Sequence, residues 1–118
     1  MSNQENNKMI AEFMQLPTEI FQPRGIINYG IDNSWYEEHE LSYHTSWDWL
    51  MPVVEKIENT NLFPTAENAV NVTIGATLYC VIQDSYGEEL EIVGQDKTKL
   101  LSVYQAVVEF INQYNKNK

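Results

Sequence analysis

The segment that most constrains the fold is Ser46–Glu58, SWDWLMPVVEKIE. Trp47, Leu50, Val54 and Ile57 fall at i, i+3, i+7 and i+10, one face of a 3.6-residue repeat, which predicts a helix with that face buried. Ser46 or Thr45 can cap its start, and Asp48 suits the positive end of the helix dipole. Its two tryptophans carry more area to bury per residue than any other part of the chain. Pro52 lies beyond the first turn, where a proline removes a backbone hydrogen bond and crowds the carbonyl four residues back. The helix therefore either kinks there or becomes regular only near Asp48. Asn59-Thr60-Asn61 is expected to end it, and Pro64 blocks continuation.

The remaining elements are placed around this helix. Lys8 to Gln15 predicts a short helix, with Met9, Ile10, Phe13 and Met14 as an apolar stripe packed into the core. Asn6 or Asn7 can cap it, Pro17 stops it, and the polar residues 1–7 are expected to fray. Residues 18–45 show the least regular pattern, punctuated by Pro23, Gly25 and Gly30, with a brief strand expected over Ile26, Ile27, Tyr29 and Ile31. Beyond residue 69 the period changes. Val70, Val72 and Ile74 alternate with polar residues, Thr77 to Ile82 is β-branched and aromatic, and Leu90 and Ile92 alternate with Glu89 and Glu91. Gly75 and the turn Asp84-Ser85-Tyr86-Gly87 separate these three strands, which implies an antiparallel meander with one face covered. Asp96 or Thr98 starts a last helix to about Tyr114, with Leu100, Leu101, Tyr104, Val107, Val108 and Ile111 on one stripe and Lys116 and Lys118 at its negative end. The expected class is α+β, one domain over 1–118, with two main helices, a short N-terminal helix and a three-stranded antiparallel sheet.

Charge narrows the partners. The chain has 17 acidic and 7 basic residues, a net charge of −10. Between Arg24 and Lys97 lie thirteen acids and a single basic residue, Lys56. Such a surface repels phosphate backbones, so no direct nucleic-acid binding is expected. It favours a basic partner, including the nucleic-acid channel of another protein, unless the charge serves solubility alone. No apolar run reaches the roughly 18–20 residues of a membrane span, and the N-terminus lacks a signal-peptide layout. The lone Cys80 excludes an internal disulfide, and a reducing, cytoplasmic setting is expected.

Catalytic and cofactor signatures are weak. Glu37, Glu38, His39 and Glu40 with His44 form the one metal-like cluster, but the two histidines are not at the i, i+4 spacing that shares a helical face, and no cysteine completes a zinc site. Cys80 lies in an apolar strand, where a buried, inert thiol is the usual state. Neither GxGxxG nor GxxxxGK[ST] occurs. No enzyme activity, cofactor or metal is expected. Trp35, Tyr36 and Tyr43, set among Glu37, Glu38 and Glu40, read either as a cover packed over the core or as a binding surface with aromatic anchors. Glu88, Glu89 and Glu91 are placed on the solvent face or edge of the sheet, where charge discourages edge-to-edge pairing.

The chain resembles the phage ABA sandwich domain family. In that family an aromatic-rich irregular segment leads into a Ser/Thr-started helix with a central tryptophan and a Val-Val-Glu-Lys end. Here these are Ser46, Trp49, Val53, Val54, Glu55 and Lys56, followed by the strands around Val70–Ile74 and Thr77–Ile82 and the helix over Leu100–Phe110. Met9-Ile10-Ala11-Glu12 is similar to the family's opening helix. The resemblance covers most of the chain and implies a phage or prophage origin, as among small proteins of Bacteroidota mobile elements, and a helix–sheet–helix (α/β/α) sandwich. It implies no site residue.

The leading expectation is a non-enzymatic phage protein that inhibits a bacterial defence system in the host cytoplasm by occupying a basic protein. The target would be of the CRISPR-effector kind, whose channel normally holds nucleic acid. Trp35, Tyr36 and Tyr43 would anchor, and Glu37, Glu38, Glu40, Glu88, Glu89 and Glu91 would stand in for phosphates. The alternatives are an oligomeric assembly accessory of a phage particle, pairing through the strand edge at Glu89–Val93 or Thr77–Ile82, and a small-nucleotide sponge. The sponge has few cations to work with: Lys8, Arg24, Lys56, Lys97 and Lys99.

Overall fold

A computed structural model describes residues 2–22, 24–59, 70–75, 78–84 and 91–116. Among the described residues, three helices and two three-stranded antiparallel sheets make an α+β fold. The expected features at Pro23, Thr60, Asn61, Pro64, Thr77, the turn residues 85–87, Glu88, Glu89 and Lys118 lie outside the described residues.

Helix α1, Asn3–Phe13, starts five residues before the apolar stripe predicts. Ser2 caps it, its side chain accepting a hydrogen bond from the Glu5 backbone N–H. The extra turn is held from outside, because Asn7 is buried, 1% exposed, and joins three parts of the chain. Its Nδ2 donates to the Leu41 carbonyl at 2.8 Å and lies 2.9 Å from His44 Nδ1. The Tyr104 hydroxyl donates to Asn7 Oδ1 at 2.9 Å. Asparagine at this position satisfies buried backbone that an apolar residue would leave bare.

Residues 18–37, expected to be mostly irregular, form a meander of β1 (Thr18–Phe21), β2 (Ile26–Ile31) and β3 (Ser34–Glu37). Asp32 and Asn33 both have positive φ, 50° and 69°, the two-residue loop that matches the twist of a hairpin. Gly25, at φ 69°, closes the turn before β2 by donating its N–H to the Phe21 carbonyl. A 3-10 turn, Glu38–Glu40, follows.

Helix α2 is Trp47–Glu58. Its buried face is Leu50, Val53, Val54 and Ile57. Trp47, expected on that face, is instead an exposed residue at the helix start. Trp49 takes up the burial, because Tyr36 and Tyr43 lie on its side of the helix.

The second sheet runs β4 (Val70–Ile74), β5 (Tyr79–Asp84) and β6 (Glu91–Gln95), close to the spans predicted. Val72, Ile82 and Ile92 are aligned across it, as are Ile74, Cys80 and Gly94, on the face that meets the helices. Helix α3, Lys99–Lys116, packs on β5 and β6, and α2 packs beside it on β4. Thr98 caps α3, accepting from the Leu101 N–H at 3.1 Å. Helix α1 lies against α3. Thr73, Val81 and Val93 align on the opposite face of the sheet, where Val93 is 57% exposed. Among the described residues, then, the layers are sheet, helix pair and α1, with the helices on one face of the sheet. Alternation in β6 already encodes this order, since only Ile92 and Gly94 are buried there.

Candidate functional site

The residues expected to bind a partner fall into separate places. Trp35 and Glu37 share one face of the first sheet with Phe21 and Glu19, since Glu19, Asn28 and Glu37 align across the strands and Trp35 stands opposite Gly30. Trp35 and Phe21 are each 40% exposed and meet edge to face at 5.7 Å. Gly30 is bare because the indole lies over it: a Cβ there would come within 3.1 Å of the Trp35 ring and of Pro17. This face thus presents an aromatic pair with Glu19 and Glu37 beside it, and Arg24 lines the same depression as Phe21 and Glu37.

Tyr36 points to the other face of that sheet and is half-buried. Tyr43, expected as an exposed anchor, is 2% exposed and belongs to the core. The cause is the turn after Leu41, which is tied to α1 through Asn7 and brings the ring onto Trp49. Burial pushes the Tyr43 phenol up to about 12. The covering role therefore belongs to Tyr43, while Trp35 keeps an open ring.

Glu37, Glu38 and Glu40 lie together around the 3-10 turn, but two of them serve it locally. Glu40 Oε1 accepts from the Glu37 N–H at 2.9 Å, and the Glu37 side chain caps the same turn. His39 Nε2 is 3.8 Å from Glu37 Oε2. Ligand atoms of Glu37, His39 and Glu40 come within 4.8 Å of one another, whereas His44 faces Asn7 instead. Glu91 is exposed on β6 of the other sheet, apart from this group. Glu88 and Glu89 lie outside the described residues.

A cleft of about 310 Å³ opens between the end of α1, the inner face of the first sheet and the start of α2. Tyr36, Tyr43 and Trp49 line it together with Asp32 and Asp48. Tyr36 and Tyr43 stand nearly perpendicular to the Trp49 indole, at 77° and 87°, with centroids 5.0 and 5.3 Å away. Sequence reasoning missed this cleft. Trp49 was readable as a helix residue and Asp32 as one acid among many, but residues 32, 36, 43 and 49 meet only once the hairpin folds back on α2.

Lys56, the one basic residue of the acidic window, is spent inside the fold. Its Nζ donates to the Phe13 carbonyl and sits 4.8 Å from the Phe13 ring centroid, and burial pulls its pKa down. Cys80 is fully buried on β5, and desolvation pushes its thiol up to about 11, so the thiolate needed for nucleophilic attack is suppressed. No helix among the described residues is long and apolar enough to cross a membrane. No protein-family model, curated protein or solved structure matches the chain.

Proposed function

We propose that this chain is a non-enzymatic binding protein of the phage type that occupies a basic surface on a host protein. The observation that carries the reading is the open face of the first sheet, where Phe21 and Trp35 pack together between Glu19 and Glu37. An aromatic pair supplies anchoring area at little entropic cost, and the flanking carboxylates select a cationic partner. The resemblance to the phage ABA sandwich family and the net charge of −10 point the same way. A nucleic-acid-handling defence protein, such as a CRISPR effector, has the matching basic channel. Its inhibition in the bacterial cytoplasm is the expected role.

Affinity capture from a bacterial host lysate at rising salt tests this. A basic nucleic-acid-handling protein should be retained at about 50 mM salt and released by about 500 mM, because exposed charge pairs are screened. Trp35→Ala with Glu37→Gln should abolish capture while the circular dichroism spectrum stays unchanged. Recovery of no such protein at low salt sinks the reading.

The open face of the second sheet favours a second reading, an oligomeric assembly role, because Val93 is exposed there with Tyr79 and Val81 on the same face. Sedimentation separates the two. A stable oligomer that Val93→Lys disperses supports assembly, and a monomer at working concentration removes it.

A further inference from the structure

We infer that the cleft between the first sheet and the start of α2 takes one cationic side chain, lysine or arginine, from the partner protein. The inference rests on the binding reading above and names a chemistry for it, at a place distinct from the Phe21–Trp35 face.

Three observations carry it. First, three of the lining side chains are aromatic. Tyr36 and Tyr43 meet the Trp49 indole edge to face at 77° and 87° with centroids 5.0 and 5.3 Å away; Tyr43 backs the group from the core, and the half-buried Tyr36 and Trp49 rings offer the open area. Ring faces carry negative quadrupole density, tryptophan most of all, and attract a cation within about 6 Å of the ring centroid. Secondly, the charged groups among the described lining residues are carboxylates. Asp32 and Asp48 contribute to it, and among the described residues no lysine, arginine or histidine does. Both are exposed to solvent. Thirdly, Pro52 also lines the cleft and has no N–H, so the Asp48 carbonyl lacks its usual donor four residues on. A proline in a helix interior costs about 3 kcal/mol relative to alanine.

Size decides between occupants. At about 310 Å³ the cleft lies at the lower limit of ligand pockets, roughly 300–1,000 Å³. It suits a single extended side chain better than a nucleotide, and its two carboxylates repel phosphate. A lysine or arginine stem would pack along Met14 and Leu16 at the apolar end, with its charged head between the rings and the carboxylates.

The test uses the purified full chain and small probes: N-acetyl-arginine amide, N-acetyl-lysine amide and the neutral isostere N-acetyl-citrulline amide. Amide and indole NMR shifts are followed during titration. The cationic probes should move the Trp49 indole and the backbone amides of Asp32, Tyr36 and Asp48, with dissociation constants on the order of 10 mM. Citrulline should leave them in place. Asp32→Asn with Asp48→Asn should weaken the cationic probes about fivefold or more, and Tyr36→Leu about threefold. Asparagine is tolerated at the positive φ of residue 32, so the fold is kept. Equal shifts from citrulline, no shifts from any probe, or full retention of arginine binding in the double asparagine variant overturns the inference.

The failure of the inference and of the binding reading are distinguishable. Capture of a basic partner equally by the parent and by the double asparagine variant defeats the cleft but leaves the Phe21–Trp35 face in place. Cationic probe binding without any captured partner supports the cleft and counts against the proposed partner.

Discussion

Replacing Gly94 by alanine should separate α3 from the second sheet. Gly94 is buried on β6 beneath the helix. A Cβ built there overlaps the Ser102 carbonyl oxygen and comes within 2.7 Å of Ala106 N and 2.9 Å of Ala106 Cβ. Carbon contacts are comfortable at about 3.5–4.0 Å, so α3 would have to retreat by about 1 Å at this point. The obstacles are helix backbone, which no rotamer change relieves. Retreat also loosens Val103 and Val107 from Ile82 and Ile92 in the same core. Overpacking costs about 1–3 kcal/mol when side chains yield, and a backbone clash belongs at the upper end, about 3 kcal/mol. At about 2.1 cal/mol/K per residue, a chain of 118 residues has an unfolding entropy near 0.25 kcal/mol/K, so the melting temperature should fall by about 12 °C. Scanning calorimetry measures it. Two controls isolate the cause. Gly25→Ala meets nothing within 4 Å but has φ 69°, so backbone strain alone should cost about 1 kcal/mol. Gly75→Ala meets first the Tyr79 ring, which is 36% exposed and can swing into solvent, so its effect should be smaller than that of Gly94→Ala. A Gly94→Ala protein melting within about 2 °C of the parent would refute direct seating of α3 on β6.

Tyr104→Phe should cost about 2 kcal/mol by equilibrium urea unfolding, because Asn7 Oδ1 loses the donor it has at 2.9 Å while staying buried; a change below about 0.5 kcal/mol would show that the network does not hold α1 down. Alkaline pH should destabilise the fold. Desolvation lifts the Cys80 thiol from 9.0 to about 11 and the Tyr43 and Tyr104 phenols from 10.0 to about 12, so the folded chain holds these protons to higher pH than the unfolded chain. Their contribution is full below about pH 9 and is lost as pH rises towards 12, by about 3 kcal/mol per group, so urea midpoints should fall over that window and level tyrosinate titration of all seven tyrosines near 10 would contradict it. Pro52→Ala should stabilise α2 by up to about 3 kcal/mol by giving the Asp48 carbonyl a donor, and hydrogen exchange should show a protected amide at residue 52; fast exchange there would mean that the helix stays open.

Local periodicity determined much of the fold. Leu50, Val54 and Ile57 repeat at helical spacing and are buried, and Tyr104, Val107 and Ile111 do the same in α3. Alternation located β4, β5 and β6 to within a few residues, because side chains in a strand point to opposite faces whatever lies around them. Those signals are carried by near neighbours, so a single sequence contains them. The first sheet was less legible, since β1 is exposed along its whole length and the β2–β3 pairing depends on the Asp32-Asn33 turn rather than on an apolar pattern. Asp-Asn between two apolar runs was the available signal.

Tertiary structure decided which rings face outward and where the carboxylates gather. Trp35 and Tyr36 are adjacent in sequence, yet strand alternation sends one to the open Phe21 face and the other into the cleft against Trp49. Tyr43 is buried because Asn7, distant in sequence, anchors the turn beside it. Composition alone determined that the chain is acidic and poor in free cations through its middle. Whether those acids meet aromatic walls, as Asp32 and Asp48 do, depends on contacts between segments that only the packed chain brings together.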